Sequence, residues 1–271
     1  MTNRRRDMSA MRKLVLMYCL FLAQPVVADE LNTVLIVSID ALHPAALGES
    51  TSPTLQSLMR SGRFTLNGQS VTPPLTLIAH TAMMTGLSPV QNGKQDNDWK
   101  PGAPQVARET LLDVAKQQGF GTAYFYAKQK LGYLVSKSID VYALARDDGV
   151  ERARAFFVEP GKRFVFLHIS GLEDAGTDSG WLSAEYLNEL TQIDRDLAPL
   201  VSEVLHRGSY LVVVTSDHAG HARLHGTNDP EDLKLPVILA SDQRLPQIAP
   251  GIFHITELKN FVQGMLLSKK P

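Results

Sequence analysis

Thr33-Val34-Leu35-Ile36-Val37-Ser38-Ile39-Asp40 decides how the rest of the chain is read. A continuous β-branched and apolar run, without alternation, is what a strand buried on both faces requires, and such strands belong to parallel sheets. The run ends in a carboxylate, after which Ala41-Leu42-His43-Pro44 breaks it. Asp40 therefore falls at the carboxyl end of a strand, the edge where open α/β sheets keep their chemistry. A cap for the following segment is its simpler alternative.

Outward from this stretch, strands and helices take turns. Ser52 to Met59 reads as a Ser-capped, Pro-started helix with Gly62 past its end, and Leu75 to Met84 as a short apolar helix closed by Thr85-Gly86. Arg108 to Gln118, Gly149 to Val158, Trp181 to Arg207 and Ile255 to Leu267 have helical spacing. Thr122 to Tyr126, Ile139 to Leu144, Arg163 to Ile169, Tyr210 to Thr215 and Leu235 to Ala240 read as strands, with residues 170 to 180 as a loop. The expected fold is α/β, a mostly parallel central sheet covered by helices on both faces. One long helix fills the stretch between the second and third site clusters, so only a minimal cap is expected.

The N-terminus reads as a signal peptide over residues 1–28. Arg4, Arg5, Arg6, Arg12 and Lys13 precede the apolar run Leu14 to Ala23, and Val26 and Ala28 suit cleavage before Asp29. An uncleaved anchor is the alternative, although the apolar run is short for a membrane span. The expectation is an exported, periplasmic protein, with residues 29–271 as one catalytic domain and no stable membrane span after cleavage. Cys19, the sole cysteine, lies in the leader, so the mature chain has no thiolate chemistry and any metal must bind carboxylate, imidazole or hydroxyl. That mature chain carries 22 basic and 27 acidic residues, a formal charge near −5, which argues against a nucleic-acid or anionic-membrane surface.

Chemistry-bearing residues gather at strand ends. Besides Asp40 there are His168 to Asp178, and Ser216-Asp217-His218-Ala219-Gly220-His221 with His225-Gly226 soon after. Parallel strands deliver such ends to one edge, and Asp with His is a ligand set for Zn²⁺, Mn²⁺ or Mg²⁺. His221 and His225 have loop hydrogen bonding as their alternative role. Pro73-Pro74 holds the chain extended before Thr76, which opens a helix whose free N–H groups favour an anion; an ordinary N-cap is the plainer reading of Thr76.

Taken together, Val34 to Asp40, Pro74 to Thr81, Thr85 to Pro89, Asn97-Asp98-Trp99, and Ser216 to His218 through His225 to Asp232 occur in a recognisable order. Over nearly the whole mature chain the sequence resembles the alkaline phosphatase superfamily, in its type I phosphodiesterase/nucleotide pyrophosphatase branch. The resemblance implies a small phosphorylated substrate and one or two divalent ions, with Asp40, Asp217 and His218 around the first. It also implies that Thr76 is both ligand and nucleophile, and that Asn97, twenty-one residues on, holds a phosphoryl oxygen. His225 would serve the second ion. Position 76 offers neither Cys nor Ser to mature into an aldehyde, so sulfate esters are disfavoured.

The second site departs from the family pattern. Aligning Gly176, Gly180 and Trp181 puts Glu173 at an Asp position and Thr177 at a His position, and neutral Thr is a poor replacement for imidazole. A one-residue shift offers Asp174 and Asp178 instead, a set better suited to Mg²⁺ or Mn²⁺. The functional expectation is an exported metal-dependent phosphoric-ester hydrolase acting through a phospho-threonine at Thr76. Its competitor is a weakened single-metal relative that binds a phosphorylated ligand or a protein partner. His80, one turn after Thr76, reads as packing support, His43 and His254 as surface or capping residues, and Met83-Met84 as helix packing. Lys128 and Lys130 have two readings, facing an anionic substrate or, more plainly, a solvated helix start.

Overall fold

The computed structural model describes residues 30–249 and 251–267; the expected signal peptide lies outside them. In chain order the elements are β1 (Thr33–Ile39), α1 (Pro53–Ser61), β2 (Arg63–Gln69), α2 (Thr76–Thr85), α3 (Pro89–Asn92), α4 (Leu111–Gln117), β3 (Gly121–Tyr126) and β4 (Val141–Leu144). There follow α5 (Gly149–Val158), β5 (Arg163–Ile169), α6 (Leu172–Ser179), α7 (Ala184–Arg207), β6 (Tyr210–Thr215), β7 (Lys234–Ser241), β8 (Phe253–His254) and α8 (Glu257–Leu267). Short 3-10 turns at Pro44–Ala46, Gln129–Leu134 and Pro230–Leu233 join them.

The eight strands form one sheet in the order β4-β3-β5-β1-β6-β7-β2-β8. β4, β3, β5, β1 and β6 run parallel, β7 runs against its neighbours, and β2 and β8 pair in parallel. β1 lies between β5 and β6 and is buried along its whole length. Its side chains alternate between two cores, because successive Cβ atoms point to opposite faces. Val34 and Ile36 pack with Phe164, Phe166 and Val213 under α2, α4 and α8, while Leu35, Val37 and Ile39 pack under α1, α5 and α7. Each such fully buried aliphatic contributes about 1.5–3 kcal/mol relative to exposure.

α2 is buried on every side, and it ends where Gly86 takes a left-handed conformation at φ 70° and donates back to Ala82 O. Three expectations need correction. Residues 172–179 are helical, not loop, despite two glycines flanking the segment and one inside it. The long helix starts at Ala184, capped by Ser183, not at Trp181. β2 has no counterpart in the sequence reading, because Arg-Phe-Thr-Leu-Asn-Gly-Gln is largely exposed and bulged between Thr65 and Gly68, so it lacks an apolar signature. α7 packs on the sheet and α6 packs against α7, and these two helices are the only elements between β5 and β6 in chain order among the described residues. No helix among the described residues is long and apolar enough to cross a membrane.

Candidate metal and phosphoryl-transfer site

Register alone brings the first residues together. Ser38 of β1 is level with His168 of β5 and Thr215 of β6, so Asp40, His168 and Asp217 emerge side by side at the carboxyl edge. Asp40, Asp217 and His218 are fully buried. One ligand atom from each lies within 4.8 Å of the others.

Each of these three side chains has one atom fixed and one left over. Asp217 Oδ1 accepts from Ala41 N at 3.2 Å. His218 Nδ1 donates to Ala219 O at 2.9 Å, which selects the tautomer with a lone pair on Nε2. His168 Nδ1 accepts from Ala127 N at 3.1 Å, so its Nε2 carries the proton and donates to Asp40 Oδ2 at 3.2 Å. Among the described residues four buried polar side-chain atoms lack a hydrogen-bond partner. Three of them are Asp40 Oδ1, Asp217 Oδ2 and His218 Nε2; the fourth is Trp181 Nε1. His218 Nε2 is 3.4 Å from Asp40 Oδ1 and 3.5 Å from Asp217 Oδ2. A tetrahedral ion bonded at about 2.0 Å sets its ligand atoms about 3.3 Å apart, so these residues fit a cation.

Thr76 is the first residue of α2, and its hydroxyl makes no capping bond. The helix N-terminus is instead satisfied by Asn97, whose Oδ1 accepts from Leu77 N at 2.8 Å. That bond commits the carbonyl end of Asn97 and leaves its amide as the end that can meet an anion. His80 supports the helix as expected: buried, it donates from Nδ1 to Thr76 O at 2.7 Å and accepts from Ser38 at Nε2, 2.9 Å away. Burial lowers its pKa to about 4, against the opposing pull of Asp217.

The second cluster is differently made. Glu173, near the start of α6, brings Oε2 to 3.4 Å from His218 Nε2 and 3.7 Å from His225 Nε2. His225 stacks on His218 with ring centroids 4.9 Å apart and is backed by Trp181. Gly226 beside it sits at φ 72°, where a Cβ would fall 2.5 Å from Leu75, so the turn needs glycine. Thr177 gives its hydroxyl to Glu173 O and Asp174 O within its own helix. Asp174 and Asp178 are exposed, so the shifted alignment does not supply the cluster. His221 bonds Asp232 at 2.7 Å as a loop clasp. His43 is buried, not at the surface; it caps Ala45 and pairs with Glu231.

Lys128 overturns the plainer of its two sequence readings. It is no solvated helix start: its Nζ lies 2.5 Å from Asp40 Oδ2, 2.6 Å from Glu173 Oε2 and 3.4 Å from Thr76 Oγ1. Burial disfavours its charge, but Asp40, Glu173 and Asp217 outweigh that and raise its pKa above the ordinary lysine value. Likewise burial would raise Asp40, yet Lys128, then His168 and His218, hold it well below the usual carboxylate range. Burial opposes the imidazolium of His218, but Asp217, Glu173 and Asp40 lift it to about 9. Nothing in the local sequence Ala127-Lys128-Gln129-Lys130 signalled this, because the contacts come from β1, α2 and α6. His168 was visible at a strand end but had no assigned role; its partner Asp40 is 128 residues away.

Residues 34–234 match the family model for type I phosphodiesterase / nucleotide pyrophosphatase. The chain belongs to that family. Members act on phosphate or sulfate esters as hydrolases or transferases, with metal dependence, and the fold is alkaline-phosphatase-like. A family relative, GPI ethanolamine phosphate transferase 1 of Neurospora crassa, is 25% identical over 233 residues, 74% of this chain. The chain spans only 23% of that relative's length. A 2-O GAG sulfatase superposes with a TM-score of 0.69 at 14% identity, covering 89% of this chain and 72% of the other. Murine ectonucleotide pyrophosphatase / phosphodiesterase 5, an inactive threonine-to-alanine form in complex with AMP, superposes at 0.67 and 12% identity, covering 89% and 96%. At these identities the likeness is one of fold.

Proposed function

We infer that this chain is an exported phosphoric-ester hydrolase that works with a divalent cation, zinc by preference, and uses Thr76 as its nucleophile on a small phosphorylated substrate. The observation that carries the reading is the convergence of three unpartnered buried atoms, Asp40 Oδ1, Asp217 Oδ2 and His218 Nε2. Leaving such atoms buried and unpaired costs about 1–3 kcal/mol each, more for charged groups, and a cation removes that cost. Spacings of 3.4 and 3.5 Å suit zinc better than octahedral magnesium, whose ligand atoms at about 2.0–2.1 Å sit closer together.

Asp40, Asp217 and His218 would hold the ion together with the Thr76 hydroxyl. When bound, such a cation supplies charge stabilisation and lowers the pKa of that hydroxyl. Thr76 Oγ1 forms a bond to phosphorus as the bond to the leaving alcohol breaks, and the alcohol departs with a proton. Water then replaces the Thr76 oxygen on phosphorus, releasing the phosphate product and restoring the hydroxyl. Asn97 Nδ2 is free to donate to a non-bridging oxygen, and His80 keeps the first turn of α2 in place. The murine structure with AMP, described as inactive with alanine for threonine, supports a threonine nucleophile, and position 76 is Thr, not the Cys or Ser that would be matured to an aldehyde.

The test is turnover of chromogenic phosphodiester and monoester substrates by zinc-loaded protein and by Thr76→Ala. Loss on the order of 10⁴-fold or more in a variant with unchanged melting supports the reading, and full activity in that variant excludes it. A second reading, a single-metal binder without turnover, is favoured by Thr177, whose hydroxyl is spent inside α6. One bound ion with no turnover of either substrate selects it.

A further inference from the structure

Three hydrogen-bond donors of one ammonium group meet three acceptors here. Lys128 Nζ lies between Asp40 Oδ2 at 2.5 Å and Glu173 Oε2 at 2.6 Å, with Thr76 Oγ1 at 3.4 Å, and its side chain is 20% exposed. The lysine therefore bridges the carboxylate of the first cluster, the carboxylate of the second and the proposed nucleophile. We propose that Lys128 takes the place of a second metal ion, so that the site works with one divalent cation and one tethered ammonium.

Glu173, His218 and His225 also bring one ligand atom each within 4.8 Å of one another, but two of these three ligands are already committed, so the second cluster does not fit a metal of its own. Glu173 Oε2 is engaged by Lys128, and Thr177 is bonded to its own helix. The nearest imidazoles to Glu173 are His218, whose Nε2 also belongs to the first cluster, and His225 at 3.7 Å. Formal charge agrees. Asp40, Asp217 and Glu173 against Lys128 leave two negative charges, the complement of one divalent cation; a second would leave the cluster positive. A lysine also differs from a metal in what it does. It contributes a fixed charge and hydrogen bonds to an oxygen anion, but it has no open coordination position. The charge is delivered by the backbone at the end of β3, whose Ala127 N is held by His168, so the same histidine positions Asp40 and the residue before Lys128.

This inference rests on the proposed function, and ion counting separates the two. Purified full-length protein is saturated with zinc, desalted and counted by elemental analysis, alongside Lys128→Met and Glu173→Gln; turnover is read with a chromogenic phosphodiester. The expected result is one zinc per chain in the wild type, one still in Glu173→Gln, and a fall in kcat of about 10²–10³-fold in Lys128→Met with zinc retained. Two ions per chain in the wild type overturn the lysine proposal but leave the hydrolase reading standing, whereas none overturns both. Loss of zinc in Glu173→Gln, or turnover of Lys128→Met within about threefold of wild type, also overturns it. If Lys128→Met does not fold, the counts in the wild type and Glu173→Gln decide.

Discussion

Asp40, Asp217 and His218 are wholly buried, each with one atom pinned by a neighbour and one left over, whereas Glu173 and His225 are about a fifth exposed, and Glu173 is already engaged by Lys128. The difference follows from what carries them. The first group rides on β1 and β6, neighbouring strands locked in register by the central ladder. The second rides on a short helix and a loop, where a single substitution can change a ligand without disturbing the sheet. A site can thus keep one half rigidly prepared for a cation while the other half is rebuilt around a side-chain ammonium.

Removing a ligand from the rigid half is the severest way to test this contrast. Asp217→Asn keeps the bond from Ala41 N but withdraws a charge. Turnover should fall about 10³-fold, the several kcal/mol that a Lewis acid contributes. Zinc at a hundred times its Kd should raise the wild-type Tm by on the order of 5–10 °C relative to chelated protein, and the variant should show no such shift. An unchanged zinc-induced shift in a differential scanning experiment would place the ion elsewhere.

Acid should also act through the rigid half. His80 has a folded pKa of about 4, depressed from 6.5 by burial. Its contribution to stability is present above pH 6.5 and is lost as pH falls through 4, a change of about 3 kcal/mol. His218, raised to about 9 in the chelated protein, has the opposite sign: its contribution is present below 6.5 and lost as pH rises through 9. Denaturant melts in chelator should therefore peak near pH 6.5, and His80→Gln should flatten the acid limb alone.

His168→Asn offers a finer probe. It keeps an acceptor for Ala127 N but loses the donor to Asp40 Oδ2, and zinc affinity measured by calorimetry should weaken about 10–100-fold. Smallest of all, Thr177→Ala and Asp174→Asn should leave kcat/KM within about threefold, because neither side chain faces the cluster. A larger loss in either would return the second half to the metal.

How much of this was legible beforehand depended on how far each signal travels along the chain. The apolar runs of β1, β5 and β6 match their sequence readings residue for residue, because a strand buried on both faces must be apolar throughout. β2 and α6 escaped because a bulged, half-wet strand and an acidic helix interrupted by glycine carry no such periodicity. Asp40, Thr76, Asp217 and His218 stood out because their chemistry recurs at strand and helix ends, which local sequence marks.

Sequence alone thus determined the doubly covered sheet, the edge at which its carboxylates and histidines emerge, and the irregularity at positions 173 and 177. The folded chain alone decided which alignment of α6 faces inward, that His168 fixes the orientation of Asp40, and that Lys128 lies among the acids. The reason is physical: burial and periodicity are properties of neighbouring residues, whereas a salt bridge between Lys128 and Asp40 exists only after strands far apart in the chain have been set side by side.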